Sequence, residues 1–372
     1  MTTLHKLEQL GQSIWYDNIS RGVIRSGALK KMVDEGLLGV TSNPTIFDKA
    51  ISGSTDYDDQ IRELVDARPD IDAAEIIQAL MVKDIQMACD VMKEVYERTK
   101  GRDGYVSIEV TPGKARMTQE SIEEARLLWH LVGRKNLMVK IPATKEGLPA
   151  IEQCLSEGIN INVTLIFSVD RYRAVADAFM TGLERRAKAG LPVNTVASVA
   201  SVFVSRIDTL VDDLLAKKND PSFRSIMGKA AVANTKFVYQ AFKDIFSSKR
   251  WKALKAKGAA VQRPLWGSTG TKNPAYSDLL YVDTLIGKHT VNTVPPATYA
   301  AILDHGTPAL TIERDMDDAL NVLCEVARAG IDMRWVLQKL EDDGVAAFEK
   351  SFDGLYKNLT EKRNSFAGAE VS

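Results

Sequence analysis

A lysine interrupts the apolar run Leu137-Met138-Val139-Lys140-Ile141-Pro142. A continuous apolar stretch bounded by Asn136 and Pro142 suits a strand buried on both faces, where an ammonium group loses its water. Desolvation disfavours the charged form of a lysine, and a neutral amine attacks carbonyl carbon. The resulting iminium is an electron sink, able to stabilise the carbanion left when the adjacent carbon–carbon bond breaks. Such a cycle moves protons and needs carboxylates. Asp17, in SIWYDNI, and Glu109, in YVSIEV, stand at the ends of comparable apolar segments. Further polar residues occupy matching positions: Asn43 after GVTS, Asn162 and Thr164 in NVTLIF, Ser201 with Phe203 and Arg206 in SVFVSR, and Ser268 to Lys272 in STGTK. Polar groups on apolar strands lower stability unless they meet one another, and together they can line one ligand pocket.

Each of these residues has a plainer reading beside the chemical one. Lys140 is also compatible with snorkelling out of a barrel mouth, or with a structural ion pair to Glu109. Asp17 suits the cap of a following helix in DNISRG, and Glu109 suits an exposed strand face. Asn43 before Pro44 is a common turn element, Asn162 and Thr164 can satisfy backbone groups, and Ser201 and Ser268 are often small packers.

The elements that must position these groups alternate along the chain. Strand-like segments span 13–19, 39–44, 105–110, 136–142, 162–167, 195–203, 264–270 and 289–296. Between them lie segments of helical periodicity at 22–36, 56–100, 118–132, 147–157, 169–189, 207–257 and 276–286. Such alternation predicts α/β architecture with a parallel sheet and right-handed crossovers. Eight repeats point to a (β/α)8 TIM barrel over about 13–296. An open doubly wound sheet would give a similar string, but the GxGxxG and GxxxxGK[ST] fingerprints are missing. Residues 45–104 and 207–263 exceed a simple crossover and hold several helices. About 297–366 forms a C-terminal helical extension expected beside or over the barrel. No Gly/Ser-rich linker divides residues 1–372, so one domain is expected. In such barrels catalytic groups project from the C-terminal strand ends, where Lys140, Asp17 and Glu109 all fall.

Composition narrows the partners. With 45% hydrophobic and 26% charged residues the chain reads as globular, and a net charge of −1 offers no field for nucleic acid or an anionic membrane. A small-molecule substrate is expected. Met1 to Leu10 lacks a signal-peptide apolar core and no run approaches a membrane span, so a cytoplasmic location is the expectation. Cys89, Cys154 and Cys324 stand alone, and His5, His130, His289 and His305 form no HExxH pattern, so neither a disulfide framework nor a metal site is expected.

GVTSNPTIF (39–47), NLMVKIPATKEGLPAI (136–151) and GININVTLIFS (158–168) resemble the transaldolase family of the pentose phosphate pathway. The likeness runs from WYDNISR to WGSTGTKNPAY and the helical tail, and the length suits the longer bacterial type. The resemblance implies a Schiff-base lysine at Lys140 and an acid/base at Asp17. It implies a pair holding the catalytic water at Glu109 and Thr164, and hydroxyl-binding residues at Asn43, Asn162 and Ser201. Phe203 falls on an aromatic near the site, Arg206 on a phosphate-binding arginine and Ser268 on the serine that assists it. Shorter members carry a second phosphate arginine where this chain has Gly270, and Lys272 is the residue expected to replace that charge. The implied reaction transfers a dihydroxyacetone unit from sedoheptulose 7-phosphate or fructose 6-phosphate to glyceraldehyde 3-phosphate or erythrose 4-phosphate. It needs no cofactor or metal, and a monomer or homodimer is expected. Two other outcomes share these residues: an aldolase releasing dihydroxyacetone, and a non-catalytic sugar-phosphate binding barrel. The related fructose-6-phosphate aldolases carry glutamine where this chain has Glu109, which favours transfer.

Overall fold

The eight apolar runs form eight parallel strands in the computed structural model, which describes residues 1–368. They are β1 Gln12–Asp17, β2 Gly39–Thr41, β3 Tyr105–Glu109, β4 Leu137–Pro142, β5 Ile161–Ile166, β6 Ser198–Phe203, β7 Arg263–Gly267 and β8 Thr290–Val294. Each strand pairs with its sequence neighbours and β1 closes on β8, so the sheet is a barrel with no open edge. The expected (β/α)8 architecture is the one observed. Strands β2 and β7 end earlier than their sequence patterns, which leaves Asn43 and Ser268 to Gly270 in the segments just beyond them; β6 ends at Phe203 as expected, with Arg206 past its end.

Helix α1 Thr3–Leu10 precedes the first strand, a helix that the strand-centred reading of the N-terminus does not contain. Thr2 caps it, accepting from the His5 amide while the His5 ring accepts from the Thr2 amide. The expected helix at 22–36 is two, α2 Arg21–Arg25 and α3 Ala28–Glu35, because Gly27 between them takes a left-handed φ of 79°. Between β2 and β3 run α4 Pro44–Ser52, α5 Asp58–Ala67 and the long α6 Ala73–Arg98, the last opened by an Asp72/Glu75 capping box. Helices α7 Thr118–Val132, α8 Gly147–Glu157 and α9 Val169–Lys188 match the expected segments closely. The 207–257 region divides into α10 Ser205–Ala216, α11 Ala230–Ile245 and α12 Lys249–Lys255.

The helix expected at 276–286 is reduced to the single turn α13 Leu280–Asp283. Asn273 and Ser277 side chains take the amides of Ala275 and Leu279, and Thr271 donates to the Ser277 carbonyl, so local side-chain bonds replace helical ones. Helices α14 Pro296–His305, α15 Met316–Arg328 and α16 Met333–Gly368 complete the chain. Helix α16 packs against α4, α5, α6, α10 and β5, which sets it over the barrel mouth as one of the two placements expected.

At the opposite, N-terminal end a charged plug closes the barrel. The Arg263 guanidinium donates to Asp103 Oδ1 at 2.8 Å and to Ser13 Oγ at 2.8 Å. Trp15 Nε1 donates to the same carboxylate at 3.0 Å and Ser13 Oγ at 2.9 Å. No helix among the described residues is long and apolar enough to cross a membrane.

Candidate active site

Parallel register sets the side chains of the centre. Glu109 pairs with Lys140 and Lys140 with Asn162, so three neighbouring strands direct these residues to one face of the sheet. Ladder pairing thus turns three distant sequence positions into adjacent ones. Lys140 is 5% exposed and its Nζ donates to the Ser42 carbonyl at 2.9 Å. The same nitrogen forms an ion pair with Glu109 Oε2 at 3.3 Å, and Glu109 Oε1 has no hydrogen-bond partner. Thr164 Oγ1 is also buried and unpartnered by protein. Buried polar atoms of this kind are normally satisfied, and a cluster of them beside an amine suits a bound small molecule. Just past Thr164 the β5–β6 register shifts, and Leu165 adopts a left-handed φ of 58°, an uncommon conformation for a leucine.

The remaining groups close a ring around the amine. Thr41 Oγ1 donates to Asp17 Oδ1 at 2.7 Å and lies 2.6 Å from Thr293 Oγ1. Asp17 is therefore held from β2, and the cap of α2 comes from Ser20 instead. Ser201 Oγ donates to Asn162 Oδ1 at 2.6 Å, and Asn162 Nδ2 donates to Ser107 Oγ at 3.1 Å, a chain that orients both residues. Asn43 caps α4 through its Oδ1, accepting from the Ile46 amide at 3.0 Å, which leaves its NH2 group for a ligand. Pro44 at the first helical position reinforces that helix start.

Two basic side chains sit at one side of the cavity. Arg206, on the first turn of α10, stacks over Phe203 with 5.3 Å between guanidinium carbon and ring centroid. It forms no salt bridge among the described residues; the Asp343 carboxylate acts on it from farther away. Ser268, at a left-handed φ of 53°, faces Ser205 with 3.0 Å between hydroxyl oxygens. Lys272 is exposed at the rim of the same cavity.

Charge balance follows from burial. Desolvation raises the Glu109 carboxyl above its ordinary range, opposed by the charge of Lys140. Desolvation likewise raises Asp17, with Lys140, Thr41 and, more weakly, Lys272 pulling it back. Asp17 keeps some accessible surface where it borders the cavity, yet protein surrounds it closely enough that desolvation dominates. The same effect lowers Arg206. A mouth holding two carboxyls raised above their usual range beside an amine is equipped for proton transfer.

All the expected site residues except Glu109 line one cavity of 140 Å³, and Glu109 stands behind Lys140. The structure adds Thr41, Thr293, Pro295, Leu265, Gly267 and Phe348 to its walls, alongside Gly270 of the STGTK stretch. Thr293 lies at the end of β8 in HTVNTVPP, where the strand-end rule that finds Asp17 would also find it. The Ser42 carbonyl leaves no sequence signal, being backbone. Phe348 carries none either, because its place depends on how α16 packs.

A closed barrel of eight parallel strands whose mouth gathers an amine, two carboxyls and an arginine defines a (β/α)8-barrel enzyme. The chain belongs to the transaldolase/fructose-6-phosphate aldolase family, whose model matches residues 14–359. Among curated relatives it is 48% identical to the transaldolase of Parafrankia sp. (98% of this chain, 99% of the relative). It is 47% identical to that of Trichodesmium erythraeum (97% and 98%) and 47% identical to that of Thermobifida fusca (96% and 98%).

Proposed function

We propose that the enzyme is a transaldolase working through a Schiff base on Lys140. Lys140 attacks the ketone of sedoheptulose 7-phosphate or fructose 6-phosphate, and Glu109 with Thr164 holds the water lost as the carbinolamine becomes an iminium. Asp17 takes the proton of the hydroxyl beside the scissile bond. That bond breaks, its electrons enter the iminium, and an aldose phosphate leaves a dihydroxyacetone enamine on Lys140. Addition of the enamine carbon to the aldehyde of glyceraldehyde 3-phosphate or erythrose 4-phosphate reverses these steps. Asn43, Asn162 and Ser201 hold hydroxyls of the retained unit, while Arg206, Ser268 and Lys272 hold the phosphate. Lysine is the electron sink, so the cycle calls for no metal or cofactor.

The observation that carries this reading is the Lys140 amine, buried between the Ser42 carbonyl and the Glu109 carboxylate and facing the cavity that Arg206 also lines. The relatives' name supports transfer over release, and with it a place in the pentose phosphate pathway of the cytoplasm. Barrel and C-terminal helices act as one domain in this reading, since α16 lends Phe348 to the cavity. Borohydride added with fructose 6-phosphate should fix a dihydroxyacetone-derived mass on the Lys140 peptide, and Lys140→Met should lose both adduct and turnover. An adduct on another residue, or unchanged turnover in the variant, would overturn the assignment.

A further inference from the structure

Helix α16 places one side chain, Phe348, in the wall of the substrate cavity, although it lies more than 180 residues from Lys140 in the sequence. We propose that Phe348 determines the outcome of the reaction, shielding the Lys140 enamine from water so that the three-carbon unit is transferred rather than released. This rests on the Schiff-base reading above.

Close approach of the helix explains how the ring gets there. Gly344 is one helical turn earlier on the same face, and a Cβ at that position would stand 2.8 Å from Leu165 Cδ2 and 3.6 Å from the Arg206 guanidinium. A glycine inside a helix lowers stability relative to alanine, so its place here suits contact with the barrel mouth. Leu165, the partner in that contact, is the residue held at left-handed φ by the β5 irregularity, beside Thr164. Helix α16 is tied down on both sides of Phe348. Glu341 accepts from Arg171 Nε at 3.2 Å, and Ser351 Oγ meets Thr45 Oγ1 at 2.7 Å. The ring is 5% exposed, so it presents an apolar wall of the cavity and little else to solvent.

The chemistry gives that wall a consequence. Protonation of the enamine carbon yields an iminium; water then adds to the former ketone carbon, the C–N bond breaks, and dihydroxyacetone leaves with the Lys140 amine restored. An apolar wall on the cavity that holds Lys140 slows both proton delivery and water addition to the enamine, while an acceptor aldehyde seated through its phosphate still reaches it.

The test is the ratio of dihydroxyacetone release to transfer. With fructose 6-phosphate as donor, free dihydroxyacetone is measured without acceptor and transfer is measured with erythrose 4-phosphate. Phe348→Ala should raise the ratio at least about tenfold, and Phe348→Leu should restore most of the wild-type ratio, because an apolar side chain of similar reach excludes water. Leu359→Ala, which removes a buried side chain farther along α16 and outside the cavity, should leave the ratio unchanged. A flat ratio in Phe348→Ala, or an equal rise in Leu359→Ala, would overturn the proposal. Borohydride trapping of the wild-type enzyme separates the failures: absence of a Lys140 adduct sinks the Schiff-base reading, whereas an adduct with a flat ratio sinks only the role of Phe348.

Discussion

Asp208 ties the helix that carries Arg206 to the segment following β7, and its titration should be visible in the stability of the protein. It lies in the first turn of α10, where Oδ1 accepts from the Ala231 amide at 2.7 Å and Oδ2 from the Tyr281 hydroxyl at 2.8 Å. Burial pushes its carboxyl up from the ordinary 3.8 to about 6, against the pull of those hydrogen bonds. The fold therefore favours the protonated form. This contribution is fully present below 3.8 and is lost as pH rises through about 6. The gap between the two values corresponds to about 3 kcal/mol. Asp208→Asn removes the titration and keeps an acceptor for the Ala231 amide. Urea unfolding of wild type and variant from pH 4 to 7 should show the variant gaining on the wild type by about 2.5 kcal/mol as pH rises, most of the full difference, whatever constant offset the substitution adds. Titrating groups away from Asp208 cancel in the difference; Asp212, whose charge acts on Asp208, is the neighbour to control for with a matched Asp212→Asn background. A stability difference that stays level across the window would refute the argument that burial of this carboxyl governs its proton affinity.

Lys272→Ala should raise KM for phosphorylated donors by several-fold with little change for unphosphorylated ketoses such as fructose, and equal effects on both would remove Lys272 from the phosphate site. Arg206→Ala should act in the same direction and more strongly, because its guanidinium is better enclosed than the rim lysine. Asp103→Ala should lower stability by about 3–5 kcal/mol in denaturant unfolding, since it leaves Arg263 buried with its carboxylate removed. Because that plug is at the barrel end opposite the amine, kcat of the folded Asp103→Ala variant should stay near wild type; a selective fall in kcat without loss of stability would contradict the separation of the two ends.

The strands and the ring of polar strand-end residues were legible in the sequence. Each strand is a short apolar run whose signal is local, and in a closed barrel the C-terminal ends of all strands meet at one mouth, so position along a strand already implies position in the site. That is why Lys140, Asp17, Thr164 and Ser201 converge as their patterns imply. Helix limits were less legible: side-chain bonds from Asn273 and Ser277 and the left-handed turn at Gly27 override an apolar periodicity that reads as continuous helix. Tertiary structure alone decided that the Ser42 carbonyl receives the lysine, that Thr41 rather than a helix end holds Asp17, and that a helix from the far end of the chain brings Phe348 to the mouth. Those contacts join segments far apart in sequence and depend on which surfaces fit once the barrel has closed, a matter of shape that no window of neighbouring residues encodes.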